Sequence, residues 1–367
     1  MRIIVSGGGT GGHIYPAVTI ANQIKEKQPD AEIIFVGTRE GLECEIVPRY
    51  GYPIEFIEVA GFQRKLSLDT IKSAFKLLAG LIDALKLIRK IKPDLVVGTG
   101  GYVCGPVLFL AALQGIPTCI QEQNAMPGVT NKILAHFVKK VFLGYQEAGK
   151  YFGGNSEKIF TGNPIRKEIL EVSRATAIEK FKLDPAKKTI LVSGGSRGAR
   201  SINDAMALVE TSLAGRSDVQ VIHITGETGY EKFIGQVEKK VLMSDNIKVF
   251  RYMHDMPMAL AAADLAIFRS GAIGLAELMA RGIPSILVPY PYATANHQEH
   301  NARAVEGAGA AVVILDKELT GEILLKQIES LLADESKLQK MKDAAKALGR
   351  PEAAEDIARK VLALLKK

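Results

Sequence analysis

The feature that most constrains the fold is a short apolar run that passes at once into glycines at the start of the chain. Residues 2–5 are Arg-Ile-Ile-Val, residues 6–13 are Ser-Gly-Gly-Gly-Thr-Gly-Gly-His, and the apolar spacing of a helix follows. A strand, a glycine turn and a helix in this order are typical of a doubly wound α/β domain. Glycines let the backbone approach a ligand closely, and the free amides of a helix start favour a diphosphate. The stretch therefore predicts a phosphate-binding turn.

A second copy of this pattern lies far down the chain. Residues 189–199, Thr-Ile-Leu-Val-Ser-Gly-Gly-Ser-Arg-Gly-Ala, resemble the opening and again run into a helix. The repeat predicts an α/β protein of two Rossmann-like domains with parallel sheets that face each other across a cleft. The 367 residues give both domains an ordinary size. We expect the domains at residues 1–163 and 164–348, and we expect the last segment, 349–367, to form a helix that returns to the N-terminal domain.

The first glycine turn alone does not define the ligand. Gly7, Gly9 and Gly12 satisfy the Gly-x-Gly-x-x-Gly spacing of dinucleotide-binding proteins. The next predicted strand, 32–36, runs into Gly37-Thr38-Arg39 and offers no carboxylate to a ribose. This absence disfavours an NAD-dependent oxidoreductase.

Composition indicates an anionic ligand or surface. The formal net charge is +7, and the sequence pI is about 9.1, which suits a nucleotide, a nucleic acid or an acidic lipid. The 3 cysteines have no paired spacing, which is typical of a reduced cytoplasmic protein without disulfides or a zinc site. No signal peptide is apparent at Met1, and no apolar run approaches the ~18 residues of a membrane span. Any contact with a membrane is therefore expected to be peripheral.

Residues 63–92 combine one apolar helical face with an excess of lysine and arginine. One interpretation is a crossover helix with a solvated outer face. The other is a basic amphipathic surface that rests on anionic lipid. Both interpretations are compatible if only the flank of the helix near Phe75 to Leu81 is exposed.

Polar residues follow several predicted strands, at the end of the sheet where doubly wound proteins bind ligands. Glu122 and Asn124 follow the strand that begins at residue 117, although Asn124 also suits a simple turn. Asn163 and Pro164 form a plausible hinge, and Arg166 beside them either reaches a phosphate or is an ordinary surface arginine.

The run 268–277 predicts a second nucleotide site. A strand, a Ser-Gly turn and a helix start place Glu277 near backbone amides that favour a diphosphate. The Glu277 carboxylate could accept hydrogen bonds from two ribose hydroxyls, or it is simply favoured by the helix dipole. The polar loop 289–301 could read the hydroxyls of a sugar. His297 and His300 within it have no evident third ligand, so no metal site is expected.

Taken together, these motifs resemble the MurG-type family of bacterial peptidoglycan glycosyltransferases. These are the UDP-N-acetylglucosamine:N-acetylmuramyl-(pentapeptide) pyrophosphoryl-undecaprenol N-acetylglucosamine transferases, which convert lipid I to lipid II. The similarity covers nearly the whole chain, in order and with suitable spacing, and it rests on residues 8–13, 122–124, 162–166, 194–199, 269–272 with 277, and 296–298. One departure is visible, since the family commonly has His where this chain has Gln121, and position 121 is assigned no catalytic role.

The resemblance implies the GT-B glycosyltransferase fold, with the acceptor on the N-terminal domain and the sugar nucleotide mainly on the C-terminal one. It implies that Glu277 contacts the ribose and Gln298 lies near the sugar. The full donor set implied is Ser196, Met253, Ala272, Ile273, Gly274, Leu275, Ala276, Glu277 and Gln298. The residues implied to complete the site are Thr10, Gly11, Gly12, Asn124 and Arg166.

The implied reaction transfers N-acetylglucosamine from UDP-N-acetylglucosamine to the 4-hydroxyl of the N-acetylmuramyl sugar of lipid I, with inversion and without a metal or other cofactor. His13 is the candidate catalytic base because imidazole suits proton transfer near neutral pH. Its alternative role is to orient the acceptor diphosphate. The chain has no Asp-x-Asp pair of the kind that holds a metal on a sugar nucleotide. The expected location is the cytoplasmic face of the cell membrane, against anionic lipid, with protein partners among cell-wall enzymes left open.

Three other functions compete with this one. A UDP-N-acetylglucosamine 2-epimerase would explain a donor site but not the basic apolar surface, and a diacylglycerol glycosyltransferase has similar glycine loops. A nucleic-acid-binding protein would explain the positive charge. However, the basic residues are not interleaved with stacking aromatics, and there is no recognition motif, so no nucleic-acid partner is expected.

Overall fold

The computed structural model describes residues 1–59, 68–195 and 197–365, with backbone only for 68–77. The strands are β1 Arg2–Gly7, β2 Glu32–Gly37, β3 Ile54–Phe56, β4 Leu95–Gly100, β5 Thr118–Glu122, β6 Lys140–Leu143, β7 Glu157–Phe160, β8 Lys188–Ser193, β9 Val219–Ile224, β10 Ile247–Phe250, β11 Leu265–Phe268, β12 Ser285–Leu287 and β13 Ala311–Val313.

Helices alternate with the strands along the chain. They are α1 Gly11–Lys27, α2 Glu43–Arg49, α3 Leu68–Ile91, α4 Cys104–Leu113, α5 Val129–Leu134, α6 Glu168–Glu171, α7 Arg174–Phe181, α8 Arg200–Leu213, α9 Tyr230–Gln236, α10 Lys239–Leu242, α11 Met256–Ala262, α12 Ala272–Arg281, α13 His297–Gly307, α14 Gly321–Ala333, α15 Glu335–Leu348 and α16 Ala353–Leu362. Short 3₁₀ helices lie at Gln146–Tyr151, Thr294–Asn296, Asp316–Glu318 and Ala363–Leu365.

The chain divides into two compact units. The first unit consists of residues 1–165 together with 352–367, and the second consists of residues 166–351. Each unit has one parallel sheet. The strand order is β3-β2-β1-β4-β5-β6-β7 in the first unit and β10-β9-β8-β11-β12-β13 in the second.

The repeated sequence pattern corresponds to a repeated topology. β1 lies between β2 and β4, and β8 lies between β9 and β11, so each repeat forms the strand at which the order of its sheet reverses. The crevice beyond the carboxyl ends of the strands at such a reversal is where doubly wound proteins bind ligands. The prediction of two Rossmann-like units with parallel sheets is confirmed.

Apolar burial explains why these segments are strands. β4 and β9 are buried along their whole length, as expected of parallel strands that are covered on both faces. In β1, Ile3 and Val5 pack with α1 on one face of the sheet, whereas Ile4 packs with α3 and α4 on the other. This alternation is the two-residue period of a strand.

The C-terminal helix packs within the first unit. The fully buried side chains of Ile357, Ala358 and Val361 on α16 join the apolar core that contains α1. Lys27 on α1 and Glu355 form an ion pair of 2.6 Å beside this contact. The interruption between α15 and α16 at residues 349–351 agrees with the sequence pattern.

Two of the three cysteines are fully buried. Burial raises the pKa of the Cys104 thiol to about 11 and that of the Cys119 thiol to about 12. Cys44 is only partly buried, and its thiol lies 2.9 Å from the carbonyl oxygen of Thr38. The two buried cysteines are therefore poor nucleophiles in the folded protein.

The predicted basic helix is present as α3, although residues 60–67 and the side chains of 68–77, including Phe75, lie outside the described residues. The outer face of its described part begins with exposed Leu78 and Ile82 and continues with exposed Lys86 and Lys90. Across the described residues, no helix combines the length and the apolar character that crossing a bilayer requires.

Candidate active site

The first glycine turn encloses a carboxylate of its own chain. Glu43 is only 1% exposed, and it accepts hydrogen bonds from the backbone amides of Gly9 and Thr38, both at 2.9 Å, and from the Thr38 hydroxyl at 2.9 Å. A methyl group at Gly8 or Gly41 would lie within 2.5 Å of this carboxylate, so the space exists only because both positions are glycine. The Gly9 amide, which a bound phosphate would use in a dinucleotide-binding protein, is therefore already paired with an anion.

Sequence reasoning missed Glu43. The dinucleotide-binding pattern places a carboxylate directly at the end of β2, whereas Glu43 follows Gly37 by six residues at the start of α2. Glu43 does not lie in the position of a ribose partner. It connects the turn at Gly9 to the turn at Thr38. The available signal was the pair of glycines, Gly37 and Gly41, that flank the turn.

His13 lies in the first turn of α1, at the point where the strand order of the first sheet reverses. Its Nδ1 atom is 3.0 Å from the carbonyl oxygen of Thr99 and 3.0 Å from the side-chain oxygen of Gln123. The Thr99 hydroxyl donates to the backbone carbonyl of His13 at 2.8 Å. The ring passes close to Gly100, where an added methyl group would lie 2.9 Å from Nδ1 and Cε1. β4 therefore holds both the backbone and the ring of His13.

The other predicted residues of this turn surround the start of α1. Thr10 is exposed at the N-cap and makes no side-chain capping bond, and Gly11 and Gly12 form the first helical positions. The first turn of α1 contains no acidic side chain. The positive end of the helix dipole is consequently not neutralised by a carboxylate in that turn, which favours an anion there.

Glu122 organises the turn that follows β5. It is 1% exposed, and one carboxylate oxygen accepts from the backbone amide of Asn124 at 2.9 Å and from the Asn124 side chain at 3.2 Å. The other oxygen accepts from the amide of Gly128 at 3.1 Å and from the Asn131 side chain at 2.9 Å. This geometry favours the turn interpretation of Asn124, and its ligand role stays a prediction.

In the second unit, the repeated glycine turn connects β8 to α8. Gly195 and Gly198 have positive φ angles of 88° and 78°. A methyl group at Gly198 would lie 2.0 Å from the carbonyl oxygen of Thr225, so this glycine allows the turn to approach the end of β9. Ser196, predicted to contact the donor, lies outside the described residues.

The predicted ribose partner is buried at the start of the next crossover. β11 ends at Phe268, Gly271 caps α12, and the Glu277 side chain is 9% exposed. Arg166 donates to the Glu277 carboxylate at 3.0 Å. Burial raises the pKa of Glu277, and the charge and hydrogen bond of Arg166 oppose that rise. Neither sequence-based interpretation of Arg166, as a phosphate contact or as a surface arginine, predicts this ion pair.

The remainder of the predicted donor set lies on α12, after β10 and at the start of α13. Ala272 and Leu275 are buried, whereas Ile273, Gly274 and Ala276 are partly exposed along α12. Partly exposed Met253 follows the end of β10.

Gln298, at the start of α13, links two turns of the second unit. Its side-chain oxygen accepts from the amides of Ser270 at 3.1 Å and Tyr290 at 3.0 Å, which links the turn before α12 to the loop after β12. Arg269 reinforces this link by donating to the carbonyl oxygens of Val288 at 3.2 Å and Pro289 at 3.1 Å. The sequence analysis includes Arg269 in the motif 269–272 but gives it no role.

No group of three or more His, Cys, Asp or Glu side chains in the described ranges is arranged to hold a metal ion. His297 lies at the start of α13, where its ring Nδ1 is 2.8 Å from the carbonyl oxygen of Thr294.

Two family models match successive parts of the chain. Residues 3–143 match the glycosyltransferase family 28 N-terminal domain, and residues 189–357 match the glycosyltransferase family 28 C-terminal domain. The crystal structure of Acinetobacter baumannii MurG is 27% identical in sequence, covers 99% of both chains and has a TM-score of 0.79. The fold is that of the GT-B glycosyltransferases.

A curated relative defines the family more narrowly. The UDP-N-acetylglucosamine–N-acetylmuramyl-(pentapeptide) pyrophosphoryl-undecaprenol N-acetylglucosamine transferase of Acetivibrio thermocellus is 51% identical over 362 residues, which cover 97% of this chain and 96% of that protein. The chain belongs to this family of transferases, within glycosyltransferase family 28. The UDP-GlcNAc 2-epimerase from Neisseria meningitidis bound to UDP-GlcNAc has a TM-score of 0.69 over 99% of this chain and all of its own. At 11% identity, this likeness shows a shared fold alone.

Proposed function

We infer that this enzyme transfers N-acetylglucosamine from UDP-N-acetylglucosamine to the 4-hydroxyl of the N-acetylmuramyl sugar of lipid I, which yields lipid II for peptidoglycan synthesis. The observation that carries this conclusion is the 51% identity, over nearly the full length of both chains, to a transferase of that name. The epimerase alternative has only fold-level similarity to support it.

We propose that the second unit binds the donor, with Glu277 on the ribose hydroxyls. A carboxylate accepts two hydrogen bonds readily only when it is ionised, and burial alone disfavours the ionised form. Arg166 offsets this effect from 3.0 Å and so keeps Glu277 ready for the ribose. The amides at the start of α12 suit the diphosphate.

Other residues complete the proposed donor site. The amide nitrogen of the Gln298 side chain suits the sugar, since the oxygen is already engaged with two backbone amides. We assign donor contacts as well to Ser196, Met253, Ala272, Ile273, Gly274, Leu275 and Ala276.

We propose that the first unit binds the acceptor, with its diphosphate near Thr10, Gly11 and Gly12 at the start of α1. His13 then acts as the general base. The acceptor 4-hydroxyl gives its proton to a His13 ring nitrogen, its oxygen forms a bond to the anomeric carbon, and the bond from that carbon to the diphosphate breaks with its electron pair leaving on UDP. The attack inverts the anomeric centre. Charge on the leaving diphosphate is stabilised by helix amides and Arg166, without a metal.

We also propose that the first unit rests on anionic lipid at the cytoplasmic face of the membrane that carries lipid I. Six apolar side chains on or beside α3, α4 and α5 are between 41% and 69% exposed, namely Leu78, Ile82, Leu113, Val129, Ile133 and Phe137. α4 packs against both α3 and α5, so the helices that carry these exposed side chains lie side by side. Exposed Lys86 and Arg89 extend the surface with positive charge, as binding to acidic headgroups requires.

The catalytic assignment is tested with the variants His13→Ala and Glu277→Ala and a short-chain lipid I analogue. His13→Ala should lower turnover by about 100-fold or more, the usual contribution of a general base, and leave UDP affinity unchanged. Glu277→Ala should weaken UDP binding instead. His136→Ala, which removes an exposed imidazole of the same unit, is the control and should behave as wild type. Unchanged turnover in His13→Ala would exclude the base assignment, and unchanged UDP affinity in Glu277→Ala would exclude the ribose role.

A further inference from the structure

We propose that Gln123 is a positioning residue that fixes the tautomer and the orientation of the His13 ring, and that Gln121 and Asn163 hold Gln123 in place. The inference rests on the proposed function in one respect, since only a catalytic His13 makes this arrangement matter for turnover. The three side chains form a buried relay within the first unit. Gln121 is fully buried, Gln123 is 1% exposed and Asn163 is 4% exposed.

The orientation of the Gln123 amide is determined by groups that can only accept hydrogen bonds. Its side-chain nitrogen lies 2.7 Å from the carbonyl oxygen of Thr99 and 3.0 Å from the backbone carbonyl oxygen of Gln121. It also lies 2.5 Å from the side-chain oxygen of Gln121. Rotating the amide by half a turn would place its oxygen against these three oxygens and lose every one of the bonds. The oxygen of Gln123 must therefore face His13.

That orientation determines which ring nitrogen of His13 carries the hydrogen. Nδ1 lies 3.0 Å from the Gln123 side-chain oxygen and 3.0 Å from the Thr99 carbonyl oxygen, and neither oxygen can donate. Nδ1 must be the donor, so in the neutral ring Nε2 has the lone pair that accepts a proton. After Nε2 takes the proton, the Nδ1 hydrogen still points at two carbonyl dipoles, which stabilise the cationic ring.

The other two amides prevent Gln123 from turning. The Gln121 side-chain nitrogen donates to the side-chain oxygen of Asn163 at 2.9 Å and to the carbonyl oxygen of Glu122 at 3.1 Å. The Asn163 side-chain nitrogen donates to the backbone carbonyl of Gln123 at 2.9 Å. Every amide in the relay both donates and accepts, so the direction of each depends on its neighbour.

This arrangement also defines what a side chain at position 121 must do. Gln121 must accept one hydrogen bond from Gln123 and donate one to Asn163. A neutral imidazole has one acceptor nitrogen and one donor nitrogen and can perform both tasks. An aliphatic side chain can perform neither.

The test is ¹⁵N NMR of the histidine rings at a pH where they are neutral, with the His13 signals assigned by their loss in His13→Ala. Wild type should show hydrogen on Nδ1. Gln123→Met leaves only the Thr99 carbonyl at Nδ1, so the fraction of rings with hydrogen on Nε2 should increase. In the transfer assay, kcat of Gln123→Met should fall about 10- to 100-fold, the value of a hydrogen bond to a charged group. Its KM for UDP-N-acetylglucosamine should stay constant.

Three further variants separate this role from a general effect on folding. Gln121→Leu should reproduce the tautomer shift, whereas Gln121→His should retain the wild-type tautomer. Gln114→Met alters an exposed glutamine that bonds its own helix, and it should leave the spectrum unchanged.

Hydrogen on Nε2 in wild type, or an unaltered tautomer in Gln123→Met, would overturn the proposal. A shifted tautomer with full turnover would support the positioning role and refute the base role of His13 instead.

Discussion

Gly100 is the position at which a single added methyl group tests the placement of His13 most sharply. Its φ is +108°, and a methyl group there would lie 2.9 Å from Nδ1 and Cε1 of His13. Ordinary contact begins near 3.4 Å, so in Gly100→Ala the ring must retreat by about 0.5 Å. A 1 Å misplacement of a reacting group can cost about 100-fold in rate. We therefore expect kcat to fall by about 10-fold or more.

The matched control for this prediction is Gly115→Ala. Gly115 also has a positive φ, +75°, but an added methyl group would meet no atom within 4 Å. Both variants incur the backbone strain of an alanine at positive φ, about 1–3 kcal/mol, and only Gly100→Ala also displaces the imidazole. Thermal unfolding and transfer to the lipid I analogue are measured for both, with UDP affinity as a check on the second unit. If Gly100→Ala were as active as Gly115→Ala, the position of the ring described here would be irrelevant to turnover.

Three further predictions concern buried groups. In Arg166→Met the pKa of Glu277 should rise further, because the cation that opposes the effect of burial is gone. On acidification, UDP affinity measured by calorimetry should then fall at a higher pH than in wild type. If affinity fell at the same pH in both proteins, this prediction would be wrong. Glu43→Ala leaves the Gly9 and Thr38 amides without their carboxylate and should destabilise the first unit by about 1.5–3 kcal/mol in urea unfolding, the value of a hydrogen bond to a charged group. Alkylation of the native protein should modify Cys44 first, and the two buried cysteines should react only on unfolding; equal rates would refute their burial.

The elements that the sequence predicts are those with a local signal. The repeated strand-glycine pattern at residues 2–13 and 189–199 predicts both central strands, because an apolar run followed by glycines is a signal that spans only a few positions. The end of α12 is predicted equally well, since Gly282 follows Arg281 and has the left-handed conformation, with φ +67°, that closes a helix.

The contacts that organise the candidate site are not local. Gly9 and Glu43 are 34 positions apart, His13 and Gln123 are 110 apart, and Arg166 and Glu277 are 111 apart. No periodicity links such pairs, because they meet only when parallel strands bring their carboxyl ends to the same edge of a sheet. Single-residue chemistry selects His13 and Glu277 as candidates, but their partners become visible only in the fold.

The most direct test of the central claim is transfer of labelled N-acetylglucosamine from its UDP donor to a short-chain lipid I analogue in the presence of EDTA. The account predicts a labelled lipid II analogue, formed with inversion and at a rate unaffected by the chelator. If the donor bound without transfer and UDP-N-acetylmannosamine accumulated, the enzyme would be an epimerase, and the proposed acceptor site would be wrong.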